Sequence, residues 1–201
     1  RDKVLSGRQK DAIRQYVRMH TDKPEELYQI YHAMIRGENY KAETLEVLME
    51  EGQPVIKIAG NEIRAAFEQL KDFVQKLILL TERTLPLGSV VEVDIRELKL
   101  ETEKPVSSIK AVIVDRFMKK ETEKQYVPYC GIIYPFGDSK KQLFFTEQAI
   151  HTVIHYGYTD RQEDAYVALI KREIIKKGYS SYSFAEAEDD KIRMLQSDIN
   201  L

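Results

Sequence analysis

The chain has 201 residues, is 43% hydrophobic and 32% charged, and balances 31 basic against 33 acidic side chains for a net charge of −2. That balance argues against a nucleic-acid binder working by broad phosphate neutralisation, and a single cysteine excludes an internally disulfide-stapled scaffold. The longest apolar run, around Leu77–Leu80, is too short to span a bilayer, and the charged opening RDKVLSGRQKDAIRQYV lacks a signal-peptide core, so a cytoplasmic protein without membrane insertion is expected.

In chain order, Ile13, Tyr16, Val17 and His20 recur at three-to-four spacing and predict an amphipathic helix from about Gly7 to His20. Asp22, Pro24 and Glu25 form a restart signal with Asp22 as N-cap, and Leu27, Ile30, Tyr31 and Met34 carry the next helix to a stop near Gly37. A third helix is expected from about Glu43 through Leu45, Leu48 and Met49 to Gly52, followed by a short extended segment at Pro54–Gly60. Asn61 is the expected N-cap of the strongest helix, where Ile63, Phe67, Leu70, Val74 and Leu77 make a heptad seam widened by Ala66, Phe73 and Leu80. So wide a face needs more than one neighbour. The earlier helices would cover it, and Phe67, Leu70, Phe73, Val74 and Leu77 are the candidate residues for docking a partner's helix.

Composition then switches. TLPLGSVVEVDI places a turn before the alternating Val91, Val93 and Ile95, so a strand begins near Ser89. SSIKAVIVDRFM predicts a second strand, with Ile109, Ala111, Ile113 and Phe117 on one face and Val112 and Val114 on the other. QYVPYCGIIYP and QLFFT predict a third and a fourth, joined by the polar turns ETEK and GDSKK. Two helices are expected next, at about Glu147–Tyr156 and from the Asp160 cap to Lys177, with Gly178 as the stop. The fold class is therefore α+β: an N-terminal helical region (residues 1–82), a small antiparallel meander sheet with C-terminal helices (83–178), and a polar tail (179–201).

The candidate chemistry is sparse. Cys130 lies inside a predicted strand with no nearby base, which favours a buried structural thiol. His151 and His155 have the i, i+4 spacing of a helical metal pair, but Thr152 replaces the Glu a metalloprotease needs and no third ligand is signalled. Asp115 and Arg116 are adjacent on a strand and so point to opposite faces; a structural ion pair is the better reading of Arg116. The cluster Lys171, Arg172, Lys176 and Lys177 reads as a solvated helix face. Glycine-rich phosphate loops, a nucleophile elbow and paired-cysteine zinc spacing are absent, so neither enzyme activity, cofactor nor metal is expected.

The series LPLGSVV (Leu85–Val91), IKAVIVDRF, YCGIIYPFG and FFTEQAIHTVIHYGY resembles the domain-of-unknown-function family numbered four-one-seven-six, over roughly residues 83–165. Leu85, Pro86, Gly88, Arg116, Tyr134, Pro135, Gly137, Ile150, Val153, Gly157 and Tyr158 carry the match. Pro128 and Phe136 stand where the family pattern commonly has acidic residues. The resemblance implies an accessory protein of Gram-positive type VII secretion loci: an adaptor, chaperone or targeting factor for a helical LXG-type toxin or its small helical companions. Homo-oligomers are compatible with it, and it supplies no catalytic residues. An immunity protein that inhibits a toxin domain is the alternative, and a small hydrolase using Cys130 or the histidine pair a disfavoured third. Tyr156–Asp160 and Tyr182–Glu186 also fit the short Tyr-x-x-x-acid signal of that secretion system.

Overall fold

The computed structural model describes residues 5–94 and 107–184. The chain divides into two compact units between Arg83 and Thr84.

In the first unit, helix α1 (Gly7–Met19) opens on a capping box: the Gln9 N–H donates to Ser6 Oγ, and the Ser6 N–H donates to Gln9 Oε1 at 2.7 Å. Helix α2 (Glu25–Arg36) buries Leu27, Ile30, Tyr31 and Met34 at the expected spacing and stops at Gly37. Its N-cap is Pro24, not Asp22. Asp22 takes a left-handed φ of 62°, and its N–H donates to the Thr81 carbonyl.

The expected third helix is replaced by a four-stranded antiparallel meander: β1 (Tyr40–Lys41), β2 (Leu45–Glu50), β3 (Gln53–Ile58) and β4 (Asn61–Ile63). Glu50 pairs with Gln53 and Ile58 with Asn61, so both hairpins have two-residue loops, Glu51–Gly52 and Ala59–Gly60. All four loop residues have positive φ, the requirement of the primed turns whose twist matches paired strands. Gly52 is thus a hairpin residue rather than a helix stop. Leu45, Val47, Ile56, Ile58 and Ile63 form the buried face. On the other face Lys41, Glu46, Lys57 and Glu62 stand side by side across the four strands in alternating sign, with Lys41–Glu46 and Lys57–Glu62 both at 3.1 Å.

Helix α3 (Phe67–Thr81) follows, capped at Ala66, whose N–H donates to Gln69 Oε1; Asn61 belongs to β4 and caps nothing. Leu70, Val74 and Leu77 are 1–2% exposed, and α3 packs on α1, α2 and β3 of its own unit. The seam offered as a docking face is therefore core at those three positions, with Phe67 and Phe73 half-buried at its margin.

The second unit is a six-stranded sheet. Strands β5 (Val90–Asp94), β6 (Ser108–Lys120), β7 (Gln125–Ile133) and β8 (Gln142–Phe145) run as the expected antiparallel meander. A 3-10 turn, Glu147–Ala149, leads into β9 (Ile150–His155), which adds antiparallel to β5 at the sheet edge. A helix was expected there. Ile150, Thr152, Val153 and Ile154 are β-branched and favour strand, while two register irregularities against β5 leave Ile150 and Val153 half-buried at a helix-like spacing. Helix α4 (Arg161–Lys177) has the expected Asp160 cap, with Asp160 Oδ1 accepting from the N–H groups of Gln162 and Glu163 at 2.9 Å, and the expected Gly178 stop.

The polar tail does not begin at residue 179. β10 (Ser180–Ser181) pairs in parallel with the start of β7, and a second 3-10 turn, Tyr182–Phe184, buries Tyr182 in the core. The rest of that expected tail lies outside the described residues, as does Ile95. The core comprises Leu85, Val91, Val93, Ala111, Ile113, Val127, Tyr129, Leu143, Phe145, Ala149 and Tyr182. A bulge at Val114 resets the alternation of β6, because Ile113 pairs with Gly131 but Asp115 with Cys130. Arg116 therefore faces the same side as Tyr129 and Met118 the same side as Val127, while Phe117, with φ 56°, packs on Tyr126 instead of joining Ile113.

Truncating Leu70 to Ala should destabilise the first unit by about 2–5 kcal/mol, the usual cost of emptying a buried leucine site. A urea melt of the full chain measures it, and an unchanged melt would return Leu70 to the surface.

Candidate functional site

The family-motif residues at Leu85, Pro86, Gly88, Arg116 and Gly157 come together at one end of the second unit. Pro86 to Ser89 make a tight turn, closed by the Ser89 N–H on the Pro86 carbonyl at 3.2 Å, with Gly88 at its third position in a φ of 79° that glycine takes freely. The Gly88 N–H donates to the Ile113 carbonyl at 2.8 Å, and the Ile113 N–H returns to the Ser89 carbonyl at 2.9 Å. The Leu85 N–H donates to the Tyr129 phenol oxygen at 3.1 Å. Fully buried Ser89 accepts the Gly157 N–H on its hydroxyl at 3.0 Å. Gly157 lies so close over Leu87 that an added Cβ would fall 2.0 Å from the Leu87 carbonyl oxygen. Only glycine fits that crossing.

Arg116 closes the cluster from the sheet. Its Nη1 donates to the Leu85 carbonyl at 3.2 Å and to Glu163 Oε1, while Nη2 donates to Glu163 Oε2 at 3.2 Å. The guanidinium also lies 6.0 Å from the centre of the Tyr166 ring. A two-pronged carboxylate contact with a side chain this buried is the geometry arginine serves and lysine does not. The adjacent Asp115 accepts the Arg116 N–H at 2.7 Å, so the two residues do not form a facing pair.

This clasp turns apolar side chains outward. Leu87, at the tip of the turn, is 48% exposed; Tyr156 and Tyr158, either side of Gly157, are 47% and 82% exposed. Val114, next to Ile113, and Ile154 on β9 are also exposed. At the far end of β7, Tyr134–Pro135 is a cis peptide, Tyr134 and Phe136 are exposed, and Gly137 continues the turn with its N–H on the Ile133 carbonyl.

The residues of possible chemistry are dispersed. Cys130 is 1% exposed, and burial first, then the Asp115 charge, push its thiol up to about 11, far from a reactive thiolate. His151 and His155 are exposed on a strand, not a helix; four residues of strand separate their Cα atoms by roughly 13 Å, too far to share one metal ion. No group of three or more His, Cys, Asp or Glu able to hold a metal ion occurs among the described residues. None of the described helices is long and apolar enough to cross a membrane. Of the basic cluster, Arg172, Lys176 and Lys177 are exposed and Lys171 is buried. Lys177 and Lys119 both pair with Glu173, at 2.9 and 2.8 Å, and these contacts hold its carboxyl down to about 2. In the Tyr-x-x-x-acid stretches, Asp160 is occupied as the α4 cap and Tyr182 is buried with its hydroxyl on Glu123; Glu186 lies outside the described residues.

Residues 84–166 match the family model for a domain of unknown function (DUF4176). No curated protein and no solved structure matches the chain. The DUF4176 segment thus contains the whole clasp, from Leu85 to Tyr158 and on to Glu163. The sequence marked Leu85, Pro86, Gly88, Arg116, Gly157 and Tyr158 as motif residues but gave no place in this cluster to Leu87, Ser89, Tyr129, Tyr156 or Glu163. Glu163, the third residue after the Asp160 cap, was legible only as a helix-start acid; its partner is set by the bulge at Val114.

Two substitutions test the clasp. Gly157→Ala must shift the backbone at Leu87 and should cost about 1–3 kcal/mol. Glu163→Ala leaves a buried guanidinium without its carboxylate and should cost about 3–5 kcal/mol. Urea melts of both measure these losses, and a neutral Glu163→Ala would show that Arg116 does not depend on the pair.

Proposed function

We propose that the chain is a non-enzymatic binding protein, acting as an adaptor, chaperone or targeting factor for a type VII-secreted LXG-type toxin or a helical companion of it. The observation that carries this reading is the clasp. Its polar groups are used up in internal hydrogen bonds, while Leu87, Tyr156 and Tyr158 stand exposed around it. Exposed aromatic and aliphatic side chains on a rigid base are typical anchors of protein–protein interfaces. An amphipathic helix laid across them would bury its apolar stripe on these residues. The partner face is accordingly moved from α3 to this end of the sheet, because Leu70, Val74 and Leu77 are already buried.

Co-expression with an LXG protein encoded beside this gene, followed by size-exclusion chromatography, should give one co-eluting complex through the toxin's helical N-terminal region. Leu87→Asp and Tyr158→Ala should each weaken it about tenfold or more without unfolding the chain. Separate elution of two folded proteins would count against the proposal, and retention only by the toxin's C-terminal domain would point to immunity instead.

A further inference from the structure

Helix α4 buries just Lys171 and Ile174 of its 17 residues, and from Arg161 to Ile170 it buries none. It is held to the sheet by Glu163 on Arg116 and by Glu173 on Lys119 at 2.8 Å. The face turned away carries Ala165, Tyr166, Leu169, Arg172 and Lys176 at helical spacing, with Arg161 at its border, and all six are exposed. Leu169 is 61% and Tyr166 51% exposed. Arg161, Arg172 and Lys176 form no ion pair among the described residues. The carboxylates nearby are committed or turned aside: Glu173 is held by Lys119 and Lys177, Glu163 by Arg116, and Asp160 caps the helix. Asp164 lies five residues before Leu169, round the helix from this face. Unpaired cations therefore run the length of the face, with Tyr166 and Leu169 between them. We infer that this face of α4 docks on a bilayer surface carrying anionic lipid headgroups.

A stable protein interface would bury on the order of 1,000 Å² and set a carboxylate against each cation. This face offers two large apolar side chains and cations spread over roughly 22 Å from Arg161 to Lys176. A headgroup layer presents negative charge all along that length. It also takes Leu169 and the Tyr166 ring into the interfacial zone, while the arginine and lysine stems reach up to the phosphates. The helix would lie on the membrane and not cross it. The chain's net charge of −2 does not oppose this, because charges beyond a Debye length of about 8 Å are screened at physiological salt. The inference stands apart from toxin binding, which uses Leu87, Tyr156 and Tyr158.

Flotation of the full chain with lipid vesicles tests it. Vesicles of phosphatidylcholine with about 30 mol% phosphatidylglycerol should bind at least about tenfold more strongly than phosphatidylcholine alone at about 0.1 M salt. Raising salt to about 0.5 M should release the chain. Arg172→Glu combined with Lys176→Glu, and separately Leu169→Asp, should each weaken binding about tenfold or more. Their urea melts should match the wild type, since all three side chains are exposed. No binding to the anionic vesicles, equal binding to neutral ones, or unchanged binding in the variants would overturn the inference. Loss of the toxin complex instead of vesicle binding in the charge-reversed variant would give the face to a protein partner and overturn it too. The salt titration needs no variant, so it decides even if a substituted chain does not fold.

Discussion

The second unit depends on how the backbone of Leu85–Ser89 is satisfied. These five residues lie where a turn, two strands and the approach to a helix meet, and buried peptide groups there must all find partners. Tyr129 and Ile113 from the sheet and Arg116 from beyond the bulge partner their peptide groups, and the Ser89 hydroxyl accepts the N–H of Gly157 from the chain leaving β9. Each unmade contact would cost about 1–3 kcal/mol, so the segment admits few substitutions and few alternative positions. The two glycines follow from the same constraint: Gly88 supplies the turn's positive φ, and Gly157 lets two backbones touch.

The clasp also explains why α4 starts where it does. Asp160 caps the helix, and Glu163, in its first turn, reaches Arg116, whose other hydrogen bond is to Leu85. A family motif built this way invests its polar chemistry in holding loops together. What it offers outward is apolar: Leu87, Tyr156 and Tyr158. That division of labour between a paired interior and an exposed apolar rim is the physical basis for proposing a binding surface.

Helices with strong end signals were legible in the sequence. The spacing around Tyr16, the Gly37 stop, the Asp160 cap and the Gly178 stop all correspond to structure, as do the four meander strands. Leu45, Leu48 and Met49 misled because three-to-four spacing and strict alternation overlap in a short run; Leu45 and Val47 are the buried pair. The better signal was Gly52 and Gly60, eight residues apart, each ending a two-residue hairpin. At β9, half-burial of Ile150 and Val153 imitates a helical face only because bulges interrupt the pleat. The clasp was legible as a set of residues but not as a contact, because Leu87 and Gly157 are brought together by the fold, far apart in the chain. Nothing local to Arg116 reveals that Val114 is an extra residue, and that one insertion decides which way the arginine faces.

The most direct measurement is a hydrogen-exchange footprint of the full chain mixed with an LXG-type toxin, the proposed partner. Added protection concentrated at residues 85–89 and 154–160, with α3 unchanged, is the expected result. Protection on α3, with none at those two segments, would contradict the proposed binding surface.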